Sequence, residues 1–245
     1  MAHIKMLPPW LTNQIAAGEC VERPASVVKE LVENSIDAGA NDIEINIEDS
    51  GNRLIRIVDN GSGIPSDELS LALERHATSK IASLEDLESV NTLGFRGEAL
   101  SSIASVSEFS LASATKDSET GYKIEAKNGQ IFPVKPVGMP KGTIIEVRNL
   151  FFNFPARKKF LKSKSTEMAH INDVVTELAI SSYKISWKLT HNERQILFLE
   201  CVENPKPRIE KIFGDVEFIE IFEKDGDYSL KAYLSLPQYT KSNNK

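Results

Sequence analysis

Cysteine is scarce in this chain of 245 residues, which carries only Cys20 and Cys201. The two stand far apart and outside any Cys-x-x-Cys pattern, which excludes a disulfide framework and a cysteine-based zinc site and fits a reducing, cytoplasmic setting. The histidines His3, His76, His170 and His191 show no paired metal-binding spacing. No apolar run approaches the ~18 residues of a membrane span, and Met-Ala-His-Ile-Lys at the N-terminus lacks the apolar core of a signal peptide. No membrane partner is therefore expected. Basic charge is also short, with 29 Lys and Arg against 35 Asp and Glu for a net -6. That excludes a strongly basic nucleic-acid binder and leaves room only for a local patch. A Gly-x-x-x-x-Gly-Lys-Ser/Thr run is absent, so the chain is not a P-loop enzyme.

What is present is enough hydrophobic residue, 41%, to build a real core in one large domain or in one domain and part of another. Residues 24–37 carry Val28, Leu31, Val32 and Ile36 at helical spacing, with Pro24 suited to a first turn and Gly39 to the cap beyond the end. At roughly 100° per residue, Glu30, Asn34 and Asp37 cluster on the opposite side of this helix. Residues 43–47 alternate with period two, 49–52 are turn chemistry and 54–58 form a second apolar run, which together predict a hairpin leading into Asp59. Ser66, Asp67 and Glu68 predict the start of another helix. Residues 76–92 have no single period and read as a long loop with a short helix started by Ser83, of the kind often used as a lid. Strands are expected at 109–115, 122–126, 131–135 and 143–147, with a turn at Asn128-Gly129, then a helix at 167–181 and strands at 184–190 and 195–201. Asn204-Pro205-Lys206-Pro207 reads as a boundary. It divides the chain into a domain over 1–204 and the truncated start of a second α/β domain over 205–245.

Three segments carry chemistry. Glu30 and Asn34, one turn apart, offer a carboxylate for a water and a carbonyl oxygen for a metal ion. By themselves they read equally as a solvated helix face. Asp59 ends a strand, and Gly61 and Gly63 in its turn permit close approach of a flat ring whose amino group the acid can accept. The alternative is an ordinary Asx turn. The run Gly94-Phe95-Arg96-Gly97-Glu98-Ala99-Leu100 suits a turn entering a helix whose free amides favour phosphate, or a plain loop before a core helix.

In this order, together with Asn13-Gln14-Ile15-Ala16-Ala17-Gly18-Glu19 and Glu33-Asn34-Ser35-Ile36-Asp37-Ala38-Gly39-Ala40, these segments closely resemble the MutL family of DNA mismatch-repair ATPases. Gyrases, heat-shock chaperones and histidine kinases share the Asn-bearing helix and the Asp-x-Gly-x-Gly turn but lack the Gly-Phe-Arg-Gly-Glu-Ala-Leu run. The resemblance spans essentially the whole chain and is densest over residues 7–105. It departs from the family pattern at Cys20, where valine is usual, and at Phe154, where threonine is usual. Phe154 is expected to fill a gap beside Phe151 and Phe152.

The resemblance implies an α+β fold: a two-layer sandwich of helices and a mixed, mainly antiparallel sheet of the Bergerat ATP-binding type, followed by the start of a second domain. It implies ATP and magnesium as cofactors. Glu30 is implied as the general base, Asn34 as the magnesium ligand, Asp59 with Gly63 and Thr143 as the adenine site, and Thr78 as a lid contact. Arg96, Gly97, Glu98, Ala99 and Leu100 are implied as the phosphate cradle. Slow hydrolysis would drive N-terminal dimerisation and couple mismatch recognition by the partner MutS to repair, with weak, sequence-independent DNA contact. The basic run Arg157, Lys158, Lys159, Lys162 and Lys164 is a candidate for that contact or a solvated helix start. The family also supplies a lysine from its second domain to the γ-phosphate. That position is not identifiable here, so poor hydrolysis, or a nucleotide-gated binding module without turnover, is the alternative expectation.

Overall fold

The computed structural model describes residues 6, 21–81, 83, 85–86, 92–94, 97–214, 216–226 and 228–239. Helix α1 spans Pro24–Asp37 and buries Val27, Val28, Leu31 and Val32 completely. Pro24 opens it at a position whose amide would be unpaired in any case. Its end closes with two reversed bonds, Gly39 N to Ile36 O at 2.9 Å and Ala40 N to Ser35 O at 3.1 Å. This is the paired-carbonyl termination that a glycine just beyond a helix supports.

Strands β1 (Asp42–Glu48) and β2 (Leu54–Asp59) form the expected hairpin around a single 3-10 turn. Alternation along them places Ile43, Ile45, Ile47, Ile55 and Ile57 in the core. Helix α2 (Ala99–Ser105) leads into β3 (Glu108–Ala114), β4 (Gly121–Lys127), β5 (Gln130–Ile131), β6 (Lys135–Val137) and β7 (Gly142–Arg148). After α3 (Pro155–Phe160) and the long α4 (Lys164–Ser181) come β8 (Ser186–His191) and β9 (Arg194–Leu199). The nine strands make one sheet of order β5-β4-β3-β7-β2-β1-β8-β9, with β6 pairing β4. Every pairing in it is antiparallel except β1 with β8.

Among the described residues, helices cover one face of this sheet. The inward residues of β1, β2, β3, β7 and β8 form a single core with α1, α2 and α4. The outward face carries ion pairs such as Arg56 with Glu146 at 3.4 Å and Lys188 with Glu44 at 3.5 Å. This is a mixed, mostly antiparallel sheet with flanking helices in two layers, the Bergerat arrangement. Beyond it, helix α5 (Pro205–Phe213) precedes an isolated hairpin of β10 (Phe218–Asp225) and β11 (Tyr228–Ser235), the start of a second domain. Helix α5 is fastened to the first layer by Arg208. This side chain is 1% exposed and donates to the carbonyls of Ala179, Tyr183, Ile185 and Glu200.

Some elements differ from the sequence expectation. The helix expected from Ser66 is a series of turns ending in a 3-10 turn, Leu71–Leu73, in which Leu69 and Leu73 are buried while Leu71 stays exposed. The strand expected at 131–135 is split into β5 and β6 around Pro133, which has no amide to donate to a ladder. Helix α4 begins earlier than expected, because Ser163 accepts from Thr166 N at 3.2 Å and caps it. Of the short helix expected from Ser83, the described residues 85 and 86 are helical, and Ser83 and Asp86 exchange bonds at 3.0 and 3.2 Å, while residues 87–91 lie outside the described residues.

Candidate nucleotide-binding site

Asn34 and the terminal Asp37 of α1, both partly buried, meet Lys80, Leu93 and Gly94, and Glu30 lies half-buried one turn before Asn34 on the same helix. The β2 end is held to the helix from several directions. Ser62 N donates to Ala38 O at 2.9 Å. Asn60 turns away from the site, where its Oδ1 accepts from Asn41 N and Asp42 N at 3.0 and 3.1 Å. The turn is thereby tied to both the helix end and the start of β1.

Asp59 is 8% exposed. Its carboxylate accepts from Ser35 Oγ at 2.7 Å and from Gly61 N at 2.9 Å, and the Thr143 amide lies close enough to favour its charged form. Burial nevertheless pushes its pKa above the usual carboxylate range, against the lowering effect of those three donors. A carboxylate offers about four lone-pair directions, so these contacts leave acceptor capacity for an incoming amino group. Gly63, later in the same turn, has φ of 74°, and a Cβ there would come within 2.4 Å of Ala114 O. No other residue fits so close to β3 without moving it. Thr143 faces Asp59 across the β2/β7 pair and is buried, with its Oγ1 3.0 Å from Ser113 Oγ. Ser113 also donates to Gly142 O at 3.0 Å and accepts from Ile64 N at 2.8 Å.

Thr78 Oγ1 accepts from Lys80 N at 3.2 Å. His76 N donates to Gly97 O at 3.0 Å, which brings residues 76–78 against the start of α2. Glu98 is the residue before α2, and Ala99 and Leu100 are its first two. The Glu98 side chain turns back to Arg75 at 3.1 Å and His76 at 3.3 Å, which leaves its main chain as the part available to a ligand. Arg96, Cys20 and the 13–19 motif lie outside the described residues.

The sequence reading missed two participants. Lys80 Nζ donates to Asn34 Oδ1 at 2.8 Å and to Asp37 Oδ2 at 2.6 Å, and Asp37 also accepts from Leu93 N and Gly94 N. Asp37 was visible on the polar side of the helix, but nothing in the chain pointed to Lys80 as its partner. Ser35, buried in mid-helix, carried no signal at all. The Asn34–Lys80 contact also bears on whether this site suits a metal, since it shows the Asn34 oxygen already presented to a cation. Among the described residues no cluster of three His, Cys, Asp or Glu stands ready for a metal. An ion at Asn34 would therefore take its remaining ligands from phosphate and water, as magnesium does.

The basic run is divided. Arg157 donates to Val21 O at 3.0 Å and lies over the rings of Phe154 and Phe151, and Lys164 pairs with Asp49. Lys158, Lys159 and Lys162 are exposed or half-exposed. Phe154 packs against the core as expected. No helix among the described residues is long and apolar enough to cross a membrane.

The family described as histidine kinase-, DNA gyrase B-, and HSP90-like ATPases matches residues 22–131. The ATPase domain of Aquifex aeolicus MutL, solved in complex with ADP, superposes with a TM-score of 0.70 at 37% identity, covering 89% of this chain and 79% of that one. The chain belongs to the MutL family. DNA mismatch repair protein MutL of Haemophilus influenzae strain 86-028NP is 50% identical over 249 residues, 98% of this chain and 39% of that protein. MutL of Pseudoalteromonas translucida is 54% identical over 210 residues, 85% of this chain and 34% of that protein. The chain thus spans about two-fifths or less of the length of these curated relatives, the region that holds the MutL ATPase domain.

Proposed function

We propose that this chain binds ATP with magnesium, hydrolyses it slowly, and uses the nucleotide to control dimerisation in DNA mismatch repair. The observation that carries the reading is the Asp59 carboxylate, 8% exposed and held by Ser35 and Gly61 at the end of a strand that leads into the glycine turn of Gly61 and Gly63. That combination suits the amino edge and flat face of adenine. Thr143 and Ser113 form the polar wall next to it.

Asn34 would hold the metal, which when bound neutralises charge on the phosphates. Glu30, one turn earlier on the same face, orients and deprotonates the attacking water. The main-chain amides of Gly97, Glu98, Ala99 and Leu100, together with Arg96, would cradle the phosphates, and Thr78 would serve as a lid contact. Residues 1–204 serve as the nucleotide-binding domain, with 205–245 as the start of a second. The relatives' role in mismatch repair supports MutS and a second copy of the chain as partners in a cytoplasmic setting. The outward-facing Lys158, Lys159 and Lys162 support weak, salt-sensitive DNA contact.

Phosphate release by the purified chain tests the assignment. Glu30→Ala is expected to abolish turnover and spare ATP binding, and retained hydrolysis would overturn Glu30 as the base. Nucleotide-dependent dimerisation without phosphate release from the unmodified chain would favour a binding module over an enzyme.

A further inference from the structure

Lys80 occupies the oxygen that the reading above assigns to the metal. Its Nζ lies 2.8 Å from Asn34 Oδ1 and 2.6 Å from Asp37 Oδ2. The two side chains of the ion pair are only 19% and 8% exposed, so the contact is largely shielded from water, where charge-assisted hydrogen bonds are stronger than at the surface. The position is also fixed from its surroundings. The amides of Leu93 and Gly94 hold Asp37 at 3.0 and 3.2 Å, and the Lys80 amide is held by Thr78. A Cβ at Gly94 would stand 3.2 Å from the ammonium.

We propose that Lys80 is an internal counter-cation that competes with the nucleotide-borne divalent metal for Asn34 Oδ1, so that the two occupy this oxygen in turn. The inference rests on Asn34 being the metal ligand. A magnesium ion about 2.1 Å from the oxygen and an ammonium at 2.8 Å from the same atom would be within ~5 Å of one another. Like charges at that distance in a shielded site repel strongly. Asp37 is not subject to the same conflict. Lys80 therefore keeps its bond to Asp37 and gives up Asn34 when metal enters. Before nucleotide arrives, the ammonium satisfies an acceptor that would otherwise stand half-buried without a cation. The cost is paid in affinity for the metal complex.

Dissociation constants for ADP, measured by calorimetry in magnesium and in EDTA, test this with the wild-type chain, Lys80→Met and Asn34→Ala. Lys80→Met is expected to bind magnesium ADP about fivefold more tightly, the order of one partly shielded charge-assisted hydrogen bond, and to bind ADP in EDTA within about twofold of wild type. Unchanged or weaker binding of magnesium ADP by Lys80→Met overturns the competition. Asn34→Ala is expected to lose the difference between magnesium and EDTA. If that difference survives at its wild-type size, the metal assignment itself fails, an outcome distinct from failure of the competition. Lys80→Gln, a neutral donor, replaces the methionine variant if the latter does not fold and is expected to shift magnesium ADP binding in the same direction.

Discussion

The Ser35 hydroxyl donates to Asp59 Oδ2 over 2.7 Å from within helix α1, so the helix that carries Glu30 and Asn34 also holds the carboxylate at the end of β2. The two proposed halves of the site, the helix and the strand end, are thus joined by a direct hydrogen bond. Ser35→Ala removes one of the donors that keep Asp59 charged, and ADP affinity is expected to fall by about three- to tenfold, the range of a hydrogen bond to a charged group. Titration calorimetry on the variant checks this, and an unchanged dissociation constant would show that the bond does not support ligand binding.

Asp59→Asn is expected to keep the fold. The substituted amide can accept from Gly61 N through its oxygen and donate to Ser35 through its nitrogen, while the Ser35 proton turns to Leu31 O, already 3.2 Å away. Burial raises the Asp59 pKa in the folded chain. Between the ordinary carboxylate value and this raised one, the native state keeps a proton that the unfolded state has lost. Wild-type stability therefore falls as pH rises through that window, and the cost of the buried charge is full above it. Thermal unfolding of both proteins without ligand should show Asp59→Asn gaining more over wild type at about pH 7 than at about pH 4. An equal difference at both would contradict the burial argument.

Gly142 opens β7 with φ of 117°, and a Cβ there would lie 2.0 Å from Asp59 O. Relief would require parting β7 from β2 at the point where Thr143 meets Asp59. Gly142→Ala is expected to cost more than about 2 kcal/mol of stability, measured by urea unfolding, and to weaken nucleotide binding in the folded fraction.

Arg208 gathers four carbonyls at the junction of α4, β8, β9 and α5. Arg208→Met keeps the apolar stem and strips the donors from those carbonyls, so a loss of about 3 kcal/mol is expected. Hydrogen exchange should show the loss concentrated in faster exchange of α5. Wild-type protection of α5 would mean that its packing, rather than the guanidinium, holds it.

Much of this was legible in the order of residues. Helix α1, the hairpin of β1 and β2 and the strands β3, β4 and β7 follow from apolar periods of 3.6 and 2 and from turn residues between them. Asp59, Gly63 and Thr143 were named from the strand-acid-glycine order and the family resemblance, and the structure brings them together around one turn. What escaped depends on contacts between residues far apart in the chain. The parallel pairing of β8 with β1 has no local pattern, and neither does the bond from Ser35 to Asp59 across 24 positions. Lys80 lies 46 residues from Asn34, in a stretch without a period, so its place beside Asn34 Oδ1 could only come from the fold. The stretch after Ser66 failed for the opposite reason: its helix signals were local, and the chain there folds into turns in which Leu69 and Leu73 are buried.

Equilibrium binding of magnesium ATP to the wild-type chain, Glu30→Ala and Asp59→Ala is the most direct test of the nucleotide site. Wild type and Glu30→Ala are expected to bind alike, and Asp59→Ala to lose at least about tenfold in affinity, as expected when the charged acceptor of a hydrogen bond from the base is removed. Binding by Asp59→Ala equal to wild type would put the base elsewhere and contradict the site described around this residue.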